Sequence, residues 1–271
     1  MRKALIAVFV LFALSLGAAE RRAKNVILFI GDAAGVATIN AASIYEHGRP
    51  QALYLQRMPH VALMDTSTAS QWVSDSAAGI TAIVTGRKTH NGVISQAEDA
   101  VRGVQDGTVL KTILEYAEER GLATGVISNS PVADATPAAC YAHSNDRRQW
   151  GEIFAQVWQP RFGDGIDVII GPGRERITKE TREAGHDLEA ALKGRLFEAV
   201  PADAARPVVL LDSAEFDLPA ATERAIRILS RDRKGFFLMV ESDCHTTRIV
   251  RGLKRVIAMD DAVRRAAEST K

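Results

Sequence analysis

A serine in a run of small residues is the first group whose position could carry chemistry. Ser76 opens the stretch Ser-Ala-Ala-Gly-Ile-Thr-Ala, which is typical of the first turns of a helix. A hydroxyl at that place lies beside unpaired backbone N–H groups and the positive end of the helix dipole, an arrangement that suits a phosphate. Taken alone, however, the segment favours simple N-capping of a core helix by Asp75 or Ser76.

Carboxylates and a histidine follow two apolar runs that have the character of buried strands. Asp32 comes directly after residues 25–30, and it either binds a metal ion or caps the next helix; the sequence leaves both interpretations open. Glu241, Asp243 and His245 alternate at the end of the other run. Two carboxylates and an imidazole at that spacing favour a cluster for Zn²⁺ or a similar ion over a half-exposed strand.

A third segment, residues 129–148, combines an acidic residue, a hydroxyl and arginines. If the chain is extended there, Asp134 and Thr136 point the same way and offer two oxygens to a hard cation such as Mg²⁺. Arg147 could hold a phosphate through its fork of N–H donors. The alternative is a turn in which Asp134 acts as a cap and Arg147 is solvated.

The elements that must position these groups are short apolar runs alternating with amphipathic segments. Such a pattern indicates an α/β fold, with a mainly parallel central sheet flanked by helices on both faces. In sheets of this kind ligands bind beyond the carboxyl ends of the strands, where Asp32, Asn129, Glu241 and Asp243 fall. The predicted strands are residues 25–30, 123–128, 166–170, 208–211 and 236–241, and the predicted helices include residues 33–43, 108–120, 221–229 and 253–263.

Together, these segments resemble the alkaline phosphatase family, from residue 25 to about residue 266 and with the motifs in the family's order. The resemblance implies an alkaline-phosphatase-like fold and a metal-dependent phosphomonoesterase. It implies that Ser76 is the nucleophile that forms a phosphoserine intermediate. It also implies that Arg147 clamps the phosphate, with Arg148 as the alternative, and that Asp32 bridges a Zn²⁺ and a Mg²⁺ ion.

The magnesium site implied by the resemblance is completed by Asp134, Thr136 and Glu241. One departure lies beside it. Where much of the family has glycine-methionine-glycine after the first aspartate, this chain has Ala-Ala-Gly at residues 33–35.

The zinc ligands of the family are matched less well. The resemblance implies Ser76, Asp243 and His245 as ligands, with Cys244 ranked below them, but the family spaces its aspartate and histidine four residues apart rather than two. Family chains also continue into a strand with an aspartate–histidine pair and then a further histidine. No residues up to Lys271 match that pair in its sequence context. We therefore expect a C-terminally truncated member with impaired phosphatase activity.

The composition and the first residues bear on location and partners. Residues 1–19 have the short positive start, apolar run and small-residue end of a signal peptide, which predicts cleavage near Ala19 and a periplasmic or secreted protein without a stable membrane anchor. Residues 20–271 are expected to form one phosphatase domain. The formal net charge of +1 gives no reason to expect nucleic-acid binding, so the expected partners are phosphomonoester substrates and, since the family is commonly dimeric, a second copy of the chain.

Two other function classes stay open on the sequence alone. One is a related metal-dependent hydrolase of the phosphodiesterase or sulfatase type. The other is a non-catalytic exported protein that binds phosphate or metal. The two cysteines, Cys140 and Cys244, are expected to be free thiols, because two residues so far apart make no disulfide framework.

Overall fold

Six parallel strands form the centre of the molecule. The computed structural model describes residues 23–201 and 203–270, so the expected signal peptide lies outside the described residues. The spatial order of the strands is β1-β6-β2-β3-β5-β4, and every pairing between neighbours is parallel. The strands are β1 (Val26–Asp32), β2 (Ala123–Ser128), β3 (Val168–Pro172), β4 (Leu196–Phe197), β5 (Val208–Leu211) and β6 (Phe236–Asp243).

Helices cover both faces of this sheet, which confirms the predicted fold class. Side chains that alternate along the strands enter two cores: Val126 and Met239 pack on one face, and Ile127 and Leu238 pack on the other. Burial on both faces explains why these strands are continuous apolar runs in the sequence. The helices are α1 (Val36–His47), α2 (Ser76–Thr85), α3 (Ile113–Glu119), α4 (Ala135–Tyr141), α5 (Trp150–Ala155), α6 (Arg174–Glu183), α7 (Leu188–Ala191), α8 (Leu218–Leu229) and α9 (Ile249–Ser269), with a 3₁₀ turn at Leu55–Arg57.

The register of the three strands β1, β6 and β2 brings polar residues to one edge of the sheet. Asp32 pairs in register with Asp243, and Ser128 pairs with Glu241. All four residues stand at or near the carboxyl ends of their strands. The sheet therefore places the acidic residues of distant segments side by side, as the rule for open α/β sheets predicts.

Several local predictions differ from the structure. Residues 134–136 are not extended, because α4 begins at Ala135. Helix α3 begins at Ile113 rather than near residue 108, since Thr112 caps it in a reciprocal capping box with Glu115. The two-residue strand β4 was not predicted, because two residues carry no periodic pattern.

Both cysteines lie among the described residues. Cys140 and Cys244 are both free and buried, as expected. Burial raises the pKa of both thiols above the ordinary value. Among the helices that the structure describes, none combines the length and the apolar composition needed to cross a bilayer.

Candidate active site

A cleft of about 640 Å³ opens at the carboxyl ends of the strands and brings most of the predicted site residues together. Its walls come from the ends of β1 and β6, the first turns of α2 and α4, and the loop after α4. The predicted residues that line it are Asp32, Ser76, Asp134, Thr136, Arg147, Asp243 and His245. Glu241 is the predicted site residue that does not line it, because its side chain is buried behind the cleft with 1% exposure.

Ser76 is the first residue of α2 and faces the end of β1. Asp75 is the N-cap, and its side chain accepts a hydrogen bond of 3.0 Å from the backbone N–H of Ala78. Ser76 Oγ donates to Asp32 Oδ2 at 2.7 Å. The capping interpretation is therefore correct for Asp75, and it leaves the Ser76 hydroxyl free to point into the cleft beside a carboxylate.

Arg147 reaches the cleft from the loop after α4 and lies between two carboxylates. Its Nη1 donates to Asp75 Oδ2 at 3.1 Å, and its Nη2 donates to Asp134 Oδ1 at 3.0 Å. Burial lowers the pKa of Arg147, but Asp134 and Asp75 more than offset this and the pKa lies above its ordinary value. The guanidinium is therefore a fixed positive charge a short distance from the Ser76 helix.

Arg148 points elsewhere. Its side chain is 74% exposed and pairs with Asp146. Of the two arginines between which the sequence could not decide, Arg147 is the one that faces the cleft.

Glu241, Asp32 and Asp243 form a cluster of carboxyl groups at the base of the cleft. The pKa of Glu241 is raised to about 8, mainly because the group is buried. The carboxylates of Asp32 and Asp243 raise the pKa further, and the hydrogen bond from Ser128 lowers it in part. Ser128 Oγ donates to Glu241 Oε2 at 2.5 Å. Carboxylates packed this closely call for a compensating positive charge.

The donor set around Asp32 fits a divalent cation. Asp32, Asp243 and His245 each offer a ligand atom, and these atoms all lie within 4.8 Å of one another. His245 Nδ1 is 2.8 Å from Asp243 Oδ1 and 3.8 Å from Asp32 Oδ2. Two carboxylates and an imidazole are ligands that Zn²⁺ accepts readily.

A second group of oxygens also lies in the cleft with Asp32. Thr136 Oγ1, on the first turn of α4, is 3.5 Å from Asp32 Oδ2. Asp134 Oδ2 accepts a hydrogen bond of 3.3 Å from Ser130 Oγ. Carboxylate and hydroxyl oxygens of this kind suit Mg²⁺, and the start of α4 places both Asp134 and Thr136 in the wall of the cleft without the extended chain that the sequence suggested.

Three supporting contacts were not predicted. Asp75 was expected to act only as a cap, yet it also binds Arg147. Asn129 was expected at this edge, and its Oδ1 accepts the backbone N–H of Asp243 at 2.6 Å, which fixes the end of β6. Ser128 hydrogen-bonds to Glu241, and its place at the last residue of a predicted strand was the only signal for it in the sequence.

One family model and several known proteins are similar to this chain over much of its length. A family model described as alkaline phosphatase matches residues 23–199 and 209–271. The tissue-nonspecific alkaline phosphatase of Rattus norvegicus is 27% identical over 316 residues, a match that covers 92% of this chain and 60% of the rat protein. Alkaline phosphatase 3 of Bacillus subtilis is 30% identical over 239 residues, covering 80% of this chain and 50% of that protein.

A solved structure shares the fold. A mutant of the alkaline phosphatase from the Antarctic bacterium TAB5, with magnesium bound in its M3 site, superposes with a TM-score of 0.78 and 31% identity, covering 91% of this chain and 73% of that one. This chain spans about 60% of the length of the rat protein and about half of the Bacillus protein.

Proposed function

Since the chain belongs to the alkaline phosphatase family, we propose that it hydrolyses phosphomonoesters through a phosphoserine formed at Ser76. The observation that carries the proposal is the hydrogen bond of 2.7 Å between Ser76 Oγ and Asp32 Oδ2 at the start of α2, in a cleft that also holds Arg147. Hydroxyl, acidic cluster and guanidinium come from three distant parts of the sequence. Their convergence favours group transfer over a passive anion site.

Metal ions belong to this proposal. Asp32, Asp134, Thr136 and Glu241 would hold Mg²⁺, and the magnesium in the TAB5 structure supports this choice of ion. When bound, divalent ions at such a site supply Lewis-acid stabilisation of developing negative charge and lower the pKa of coordinated hydroxyl groups.

The zinc part of the proposal also uses Asp32. Asp243 and His245 would hold Zn²⁺ together with Asp32 and the Ser76 oxygen. The ligand atoms of Asp32, Asp243 and His245 are mutually close in the structure, which supports this assignment. The buried Glu241 lies behind them; its pKa of about 8 keeps it mostly protonated at neutral pH while no cation is bound, and a bound cation would favour its ionised form.

The residues of the chain then have distinct roles in two displacements. Ser76 Oγ gives its proton to solvent and attacks phosphorus, the bond from phosphorus to the alcohol oxygen breaks, and the alcohol oxygen takes up a proton from solvent; Asp32 Oδ2, 2.7 Å from Ser76 Oγ, orients the attacking oxygen. Arg147 neutralises the non-bridging oxygens of the transferred group. Water then attacks the phosphoserine, which releases inorganic phosphate and restores the hydroxyl.

Covalent labelling tests this proposal because it needs only the first displacement. The chain with Zn²⁺ and Mg²⁺ is incubated with a ³²P-labelled phosphomonoester and quenched with acid, and release of p-nitrophenol from its phosphate ester is followed in parallel. We expect Ser76→Ala to lose the label and to lower turnover by at least about 10³-fold. Ser70→Ala, which removes a hydroxyl outside the cleft that bonds to His90, is the matched control.

Two results would argue against the proposal. Label or turnover that survives in Ser76→Ala would show that another group is the nucleophile. Hydrolysis of sulfate esters or phosphodiesters in preference to p-nitrophenyl phosphate would assign the cleft to a different ester class.

Location outside the cytoplasm is also proposed, on the signal-like residues 1–19. Cleavage near Ala19 is checked by N-terminal sequencing of the exported protein.

A further inference from the structure

We propose that His143 is a positioning residue that, together with Glu115, holds Arg147 in register with the helix that carries Ser76. The inference rests on the proposed function, because it takes Arg147 as the group that binds phosphate. His143 does not touch the cleft. It lies four residues before Arg147 in a loop that we call the arginine strap, residues 142–148.

The His143 ring is buried and its two nitrogens are both engaged. Its side chain is 1% exposed. Nδ1 lies 2.7 Å from the carbonyl oxygen of Ser95, and Nε2 lies 2.7 Å from Glu115 Oε1. A carbonyl oxygen only accepts hydrogen bonds, so Nδ1 carries a proton, and a second proton lies between Nε2 and the carboxyl group. The ring therefore has one orientation.

The backbone of His143 is fixed as well. Its N–H donates to Gln156 Oε1 at 2.9 Å, and Gln156 Nε2 donates back to its carbonyl oxygen at 3.0 Å. Glu115 is equally constrained, because its Oε2 accepts the backbone N–H of Thr112 at 2.9 Å in the capping box of α3. The pair thus joins the start of α3 to the arginine strap.

The contact with Ser95 extends this connection to the Ser76 helix. The backbone N–H of Ser95 donates to Thr81 Oγ1 at 2.9 Å, and Thr81 is a buried residue of α2. Ser95 Oγ donates to the carbonyl oxygen of Ala139 in α4 at 2.7 Å. One residue, Ser95, therefore links the helix of the nucleophile, the helix of Asp134 and Thr136, and the His143 ring.

The strap transmits this constraint to Arg147 through main-chain hydrogen bonds. Ile94 and Ser144 exchange two of them, at 2.8 and 3.0 Å. The backbone N–H of Arg147 donates to the carbonyl oxygen of Gly92 at 2.8 Å. A strap held at His143, Ser144 and Arg147 fixes the point from which the guanidinium reaches the cleft.

A role in fold stability alone does not account for the choice of residues. Burying a histidine and a glutamate together costs desolvation that an apolar pair of similar volume would avoid. What the polar pair adds is direction, because each hydrogen bond fixes an angle as well as a distance. An arginine that binds phosphate through its N–H groups must be held in a defined orientation.

Phosphate affinity in two backgrounds tests the inference. The dissociation constant of inorganic phosphate is measured by titration calorimetry with Zn²⁺ and Mg²⁺ present, for His143→Leu in the parent chain and in Arg147→Ala. We expect binding to weaken about tenfold in the parent chain, equivalent to about 1.4 kcal/mol, and by less than about twofold in Arg147→Ala, where the strap has no guanidinium to position.

Conservative and control variants separate positioning from folding. Glu115→Gln keeps the geometry, since the amide can donate to a neutral His143 and still accept from Thr112, and we expect phosphate affinity within about twofold of the parent. Thr222→Val removes a buried hydrogen bond in α8, far from the strap, and should lower the melting temperature while leaving phosphate affinity unchanged. If His143→Leu does not fold, His143→Asn replaces it, because asparagine can still donate to Ser95 but is too short to reach Glu115, and the same weakening is expected.

The outcomes that overturn the inference differ from those that overturn the proposed function. A parent chain that binds no phosphate would remove the proposed function and this inference with it. A parent chain that binds phosphate, with equal losses for the His143 variant in both backgrounds or no loss in either, would overturn the positioning role alone.

Discussion

Replacing the buried Glu118 by glutamine should change the free energy of unfolding by an amount that depends on pH. Glu118 lies near the end of the sheet opposite the cleft. Glu118 lies in α3 with 4% exposure, and its Oε1 accepts a hydrogen bond from Thr124 Oγ1 at the start of β2. Its Oε2 has no hydrogen-bond partner among the residues that the structure describes. A glutamine keeps the acceptor for Thr124 and removes the ionisable group.

The size of the effect follows from the pKa of this carboxyl group. The pKa of Glu118 is raised from 4.5 to about 7, mainly because the group is buried. The carboxylates of Asp164 and Asp167 raise the pKa further, and the hydrogen bond from Thr124 lowers it in part. Between these two values the folded state keeps a proton that the unfolded state has lost, so the free energy of unfolding falls as the pH rises. At 1.36 kcal/mol per pKa unit, ionising Glu118 costs the fold about 3 kcal/mol above pH 7.

Urea denaturation of both proteins at pH 5 and pH 8 measures this cost. We expect Glu118→Gln to exceed the parent in free energy of unfolding by less than about 1 kcal/mol at pH 5 and by about 3 kcal/mol at pH 8. Glu119→Gln is the control, because Glu119 is 40% exposed and pairs with Lys111 at the surface, so its difference from the parent should not change between the two pH values. An advantage of Glu118→Gln that is the same at pH 5 and pH 8 would refute the reasoning.

Two further predictions concern the cleft. Arg147→Ala should weaken inhibition by inorganic phosphate about 10- to 100-fold, because hydrogen bonds to charged groups contribute about 1.5–3 kcal/mol, whereas Arg148→Ala should change it less than about twofold; similar losses in the two variants would contradict the assignment. Removing divalent cations with a chelator should lower the melting temperature by about 5–10 °C in a fluorescence melt, because the stabilisation from cation binding is lost and the carboxylates of Asp32 and Asp243 then repel one another, and adding Zn²⁺ and Mg²⁺ should restore it. A melting temperature that chelation leaves unchanged would mean that these carboxylates hold no structural cation.

The strands show what the sequence could and could not specify. Strands β2 and β5 have the predicted bounds, because each is a short apolar run followed directly by a polar residue, Asn129 or Asp212. Strands β1 and β6 run two residues beyond the predicted ends, to Asp32 and Asp243. The apolar pattern ends before the backbone pairing does, and three of the four residues gained, Gly31, Asp32 and Asp243, line the cleft.

Residue types in the site were predictable, but their contacts were not. Position at a strand end or a helix start singled out Asp32, Ser76 and Glu241 without any coordinates. The choice between Arg147 and Arg148 required the path of the loop, which the hydrogen bond from Arg147 to the carbonyl oxygen of Gly92 determines. The Glu115–His143 pair joins residues 28 apart in sequence, and no local pattern links them.

Without substrate, Arg147 is hydrogen-bonded to two carboxylates. These contacts would affect the release of inorganic phosphate at the end of the proposed reaction. Asp75 and Asp134 hold the guanidinium in place before any substrate arrives, so little side-chain freedom is lost when a phosphate binds. The same two carboxylates also cancel part of its charge, which loosens its hold on a bound dianion. If the proposed function holds, an arginine held in this way would bind phosphate less tightly, so inorganic phosphate would dissociate sooner and would inhibit the next turnover less.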